Sequence, residues 1–128
     1  MSISTSETII VRACLDWLAW KRIMAWRSNN TGIYDSAKKV FRTFQGLKGV
    51  ADILGIFPQT VALAGGERVM FGNALAIEVK KPGEHPRPDQ ESFLQGIRDR
   101  GGIGICVHSV TEMEQMMAPF MFDESHVA

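Results

Sequence analysis

Leu75-Ala76-Ile77-Glu78-Val79-Lys80 decides the fold. Four apolar residues carry one acid and one base, and the segment runs into Lys81-Pro82-Gly83, which stops a strand. Side chains alternate along a strand, so Glu78 and Lys80 leave one face while Ile77 and Val79 leave the other. Two opposite charges at the end of a core strand are costly unless exposed, paired or functional. Taken alone they also fit an exposed ion-pair face.

Working outward, Gly49-Val50-Ala51-Asp52-Ile53-Leu54 places a second acid at the head of an apolar strand, Ala51 to Phe57, ended by Pro58. Ala64-Gly65-Gly66-Glu67 predicts a turn between short strands at 61–63 and 68–71. Upstream, Ser4-x-x-Glu7 resembles a capping box, and Ile10, Cys14, Trp17 and Leu18 recur near helical spacing, which predicts a helix over 5–20. Residues 23–27 predict a strand, ended by turn formers at 28–32. Downstream, Pro88 and Asp89 open a helix to about Arg100, Ile103 to Val107 predicts a strand, and Thr111 starts a helix that ends before Pro119. The order predicts an α/β domain with a central mixed β-sheet flanked by helices, αβββαβ with a final helix. At 128 residues the chain is the size of one domain, 1–128.

Two carboxylates, Asp52 and Glu78, held near one another form a hard oxygen site suited to Mg2+ or Mn2+. Such an ion polarises a phosphoryl oxygen and acidifies water. The Lys80 ammonium beside them can orient the attacking water and offset charge growing on a phosphate. The backbone carbonyl of Val79 is a further candidate ligand. The basic segment fits this chemistry: residues 12–48 hold eight Lys or Arg against two Asp, whereas residues 84–128 hold three Arg against eight acids, although the whole chain is neutral.

The ordered words Gly-x-x-Asp at 49–52, Ala-Ile-Glu-Val-Lys at 76–80, Pro88-Asp89-Gln90 before Phe93-Leu94, Gly101-Gly102 and Ser109-Val110-Thr111-Glu112 resemble the VRR-NUC (virus-type replication-repair nuclease) domain of the PD-(D/E)xK nuclease superfamily. The resemblance spans roughly Glu7 to Met117. It implies a restriction-endonuclease-like core. It implies that Asp52 and Glu78, with Glu7, bind Mg2+ or Mn2+, and that Lys80 and Gln90 act in catalysis. It implies DNA contacts through Arg27 and Asn29; the charge pattern adds Lys38, Lys39, Arg42 and Lys48 of the basic segment, expected to hold the DNA backbone. The chain departs in the long spacing from Asp52 to Glu78.

The function so implied is a structure-selective DNA endonuclease acting on branched DNA such as Holliday junctions, as a homodimer of phage or bacterial origin. Alternatives are a flap or single-strand nuclease, a non-catalytic DNA-binding module, or a small phage assembly protein. Without a secretory pattern or an apolar run of membrane length, a cytoplasmic location is expected, in a bacterial or phage-infected host cell, with no membrane partner. Cys14 and Cys106 read as free thiols in apolar runs. Trp17, Trp20 and Trp26 read as packing residues, His85 as a solvated loop residue, and Met113, Met116 and Met117 as a packing or dimer face.

Overall fold

A computed structural model describes residues 2–28, 33–35, 37, 40–42 and 47–121, with side chains for 7–28, 37 and 47–121. Its elements run α1 (Ser2–Trp20), β1 (Met24–Arg27), β2 (Ile33–Asp35), β3 (Val40–Arg42), β4 (Ile53–Ala62), β5 (Arg68–Val79), α2 (Pro88–Asp99), β6 (Ile103–Val107), α3 (Val110–Met117) and a 3-10 turn, Ala118–Met121. Four strands form a mixed sheet in the order β1-β4-β5-β6, in which β6 runs parallel to β5 and the other pairs are antiparallel. β2 and β3 make a separate hairpin. No helix among the described residues is long and apolar enough to cross a membrane.

The alternation in β5 sorts the core into two layers. Ile53, Phe57, Leu75, Ile77 and Val79 pack with β6 residues against Val11, Cys14 and Leu18 of α1 and Met113 and Met117 of α3. On the other face Ala51 and Ala76 meet Leu94 of α2, with Leu54, Phe93, Ile97 and Cys106 around them. Glu78, one residue from Ile77 and Val79, belongs to this second layer. The layer is thin because its strand residues are small. A Cβ on Gly104 would stand 2.6 Å from the Leu94 carbonyl oxygen, so glycine lets α2 lie directly on β6.

Several boundaries differ from the sequence reading. The helix expected over 5–20 begins at Ser2, so Ser4 lies inside α1 and not at its N-cap. Pro58 does not end β4. Beyond Ile56 β4 has no β1 neighbour, and a proline is tolerated on such a free edge. The expected fragments at 61–63 and 68–71 are parts of one ten-pair hairpin, Ile53↔Ile77 to Ala62↔Arg68. Its turn lies where the glycines predict it: the Leu63 N–H donates to the Glu67 carbonyl at 2.7 Å, and Gly66 takes φ +92°. Trp17 packs on the core, but Trp20 is 80% exposed and Trp26 is exposed as well, contrary to a common packing role. Cys14 is buried and Cys106 partly so, both free, and burial pushes each thiol up to about 11.

Candidate active site

The β4–β5 ladder stops at Ile53↔Ile77. One step further its register would set Asp52 opposite Glu78, and there the side chain takes over from the backbone: the Val79 N–H donates to Asp52 Oδ2 at 2.8 Å. The Asp52 carbonyl accepts from Ser28 N–H at 2.8 Å, which ties the same residue to the end of β1. A strand residue's N–H and C=O leave the same edge, so the Val79 carbonyl is directed to the Asp52 side.

Glu78 is 3% exposed. Its Oε2 lies 3.8 Å from Lys80 Nζ, whose side chain is itself largely buried. Its Oε1 is buried and has no hydrogen-bond partner among the described residues. Burial raises the Glu78 pKa to about 8, helped by the neighbouring Asp52 carboxylate; the charges of Lys80 and Arg87 pull the other way without cancelling it. A buried acid with one unsatisfied oxygen, next to a second carboxylate, is a poor structural ion pair. The pair fits a hard divalent cation that keeps several waters of its own, as Mg2+ does.

Gln90, 8% exposed, sits in the first turn of α2. Its Oε1 accepts from the Arg87 N–H at 2.8 Å, so in this structure the side chain fixes the helix entry. The first turn of α2 is in turn pressed against Gly49. That residue has φ +72°, and a Cβ there would meet the Asp89 carbonyl oxygen at 2.3 Å. The Gly49-x-x-Asp52 word thus joins the Asp52 strand head to the start of α2.

Asp52, Glu78, Val79 and Lys80 are brought together, with Gln90 on the helix whose start adjoins them. Arg27 ends β1, exposed and in register with Ile53, beside Asp52. Lys48 is exposed in the turn before Gly49 and lines, with Leu47, Phe93, Ile97 and Arg100, a groove of about 580 Å³ along α2. Glu7 is not brought to the pair. It lies on α1, which packs on the other layer, and no three His, Cys, Asp or Glu side chains converge among the described residues. Asn29, Lys38 and Lys39 lie outside the described residues, and of Arg42 only the backbone, in β3, is described.

Two features escaped the sequence reading. One is Arg87, the residue just before α2, whose charge reaches Glu78. The other is His108, which had no assigned role. Its Nε2 meets the Glu84 carbonyl at 2.7 Å and its Nδ1 meets Glu112 Oε1 at 2.8 Å, so the ring clamps the loop after Lys80 to the start of α3. A carbonyl only accepts and a carboxylate prefers a donor, so both contacts favour imidazolium. The Glu84 carbonyl, then Glu112, raise the His108 pKa. Partial burial disfavours the Glu112 carboxylate, but hydrogen bonds from His108 outweigh it and lower its pKa. The spacing His108 to Glu112, four residues across a helix start, was the available signal. His85 is exposed, as a solvated loop residue would be.

No family model matches the chain, and neither a curated protein nor a solved structure matches it at a significant level.

Proposed function

We propose that this chain is a metal-dependent DNA endonuclease with a restriction-endonuclease-like core of the VRR-NUC type, selective for branched DNA such as Holliday junctions. The observation that carries the reading is the buried, unsatisfied oxygen of Glu78 beside Asp52 and Lys80. Asp52 and Glu78, with the Val79 carbonyl, would hold Mg2+ or Mn2+, which when bound polarises the phosphoryl group and favours ionised water. The Val79 N–H fixes which Asp52 oxygen remains for the cation. Glu78 would hold the cation as the ionised carboxylate, and Lys80 would orient the attacking water and offset charge on the phosphate. Water adds to phosphorus, one P–O ester bond breaks, and the leaving alkoxide takes up a proton.

Arg27 and Lys48, exposed on two sides of Asp52, would hold the DNA backbone, so that recognition follows shape more than sequence. A homodimer would set two such sites on a two-fold axis for the two strands of a junction. The outer half of the β4–β5 hairpin, with Val61, Leu63, Met70 and Phe71 exposed, offers apolar surface for that contact.

The test is cleavage of labelled four-way junction, flap, duplex and single-stranded DNA with Mg2+, Mn2+ or EDTA, run beside Glu78→Ala. Metal-dependent cutting lost in the variant is expected, strongest on the junction. Preference for the flap or single strand would change the substrate. Binding without cutting on any substrate would leave a non-catalytic module.

A further inference from the structure

We propose that Arg87 is a catalytic residue that holds the scissile phosphate, and that Gln90 is a positioning residue acting through it. This deepens the nuclease reading above and rests on it.

The backbone of Arg87 is fixed on every side. It stands between Pro86 and Pro88, extended at φ −67° and ψ 162°. Proline restricts both itself and the residue before it, so this stretch has little freedom to lose. The Arg87 N–H is held by the buried Gln90 Oε1 at 2.8 Å, and its carbonyl accepts from Glu91 N–H at 2.9 Å. The side chain is the opposite case: it is 65% exposed, and its ion-pair partner among the described residues is Asp89, Nε to Oδ1 3.4 Å. A rigid base carrying an exposed guanidinium is pre-organised, and its competitor among the described residues is a weak surface pair.

The location gives the guanidinium its target. The start of α2 rests on Gly49, three residues from Asp52, and the Arg87 charge is felt at Glu78. Lys80 Nζ, by contrast, is turned to Glu78 Oε2 and largely buried. A phosphate approaching the pair meets carboxylate charge there, and Arg87 is an exposed cation at the α2 side of that approach, as Arg27 is at the β1 side. Guanidinium matches two phosphate oxygens at once, which orients the group as well as neutralising it. Hydrolysis adds negative charge to those oxygens, so the contact strengthens as the reaction proceeds.

Gln90, expected from the resemblance to act in catalysis, has its Oε1 committed to the Arg87 backbone. Its effect on catalysis would therefore pass through Arg87.

The experiment has two readouts. In the first, single-turnover cleavage with Mg2+ is compared for wild type, Arg87→Ala, Arg87→Lys, Gln90→Ala and the charge-loss control Glu114→Gln, exposed on α3 in the other layer. Arg87→Ala is expected to slow cutting about 100-fold or more. Lysine should restore part of that, Gln90→Ala should fall between, and the control should cut like wild type. In the second, DNA binding is measured without divalent metal, with single neutral methylphosphonate linkages walked across the branch. Wild type should lose about tenfold at one linkage, the size of one charge-assisted hydrogen bond, and Arg87→Ala should lose nothing further there.

The two parts fail separately. Wild type that cuts no substrate overturns the nuclease reading, while the binding walk still reads the Arg87 contact. Cutting by Arg87→Ala at the wild-type rate overturns the proposal. So does a binding loss that is equal at neutral and charged linkages, which is the mark of a merely structural role. Coupling at a linkage other than the one cut also overturns it. Gln90→Ala with undiminished cutting removes the positioning role alone.

Discussion

Glu78 sets two opposite dependences on pH. The free carboxyl titrates at 4.5 and the folded one at about 8. Between these values the folded chain keeps a proton that the unfolded chain has lost. The stability this gives is full below pH 4.5 and is lost as pH rises through about 8. In EDTA the wild-type Tm should therefore fall by several degrees from pH 5 to pH 8.5, and Glu78→Gln should flatten most of that fall. Mg2+ at pH 8.5 should raise the wild-type Tm and leave the glutamine variant unmoved, because the cation needs the ionised acid. Thermal scans at three pH values settle both points, and an equal Mg2+ response in the two proteins would remove Glu78 as a ligand. Lys80 gives a prediction of another kind. Lys80→Ala should slow cutting by orders of magnitude while a binding titration stays within a few fold of wild type. Equal loss of both would contradict its role at the phosphate.

At the scale of elements, Gly49 holds the site together. Gly49→Ala would put a Cβ 2.3 Å from the Asp89 carbonyl and strain a φ of +72°. The first turn of α2 must then lift from the strand head, taking Gln90 with it. A loss of roughly 1–3 kcal/mol from backbone strain alone is expected by denaturant unfolding, with cutting reduced further than stability accounts for. A variant as stable and active as wild type would show that α2 does not depend on this contact. Elements of strong period were legible in the sequence: α2 and β6 lie where Pro88, Gly101-Gly102 and the apolar run at 103–107 put them. The face shared by Glu78 and Lys80 was legible too, because strand alternation is a local property. Pro58 misled because its local meaning, chain-breaking, yields to its place on a free edge. Arg87 was silent because its significance lies in which charges the packing of α2 brings near, and Glu7 was over-read because a helix position does not reveal which layer the helix covers.

The whole molecule divides into a closed part and an open part. The closed part is the four-stranded sheet with helices on both sides. The open part is the outer half of the β4–β5 hairpin, where neither strand has another neighbour among the described residues and Met70 and Phe71 are exposed. Isolated two-stranded hairpins are marginal in water, and an apolar one invites a partner. Deleting the four outer pairs, residues 59–62 with 68–71, should leave a folded chain of unchanged inner register. If the hairpin carries the proposed two-fold contact, sedimentation will show the wild type as a dimer and the shortened chain as a monomer. Identical sedimentation of the two removes the hairpin from that role.

That deletion also bears on how the site is written into the chain. Asp52 and Glu78 are 26 positions apart, yet they meet because one lies just before β4 and the other near the end of the antiparallel β5. Any matched pair of residues added to or taken from the arm leaves their encounter untouched, whereas a single unmatched residue between turn and ladder shifts one strand past the other and turns the acid to the opposite layer. The distance along the chain is therefore elastic, but its parity is not. Length variants of this arm should fall into two groups, those that keep the two carboxylates on one face and those that lose them.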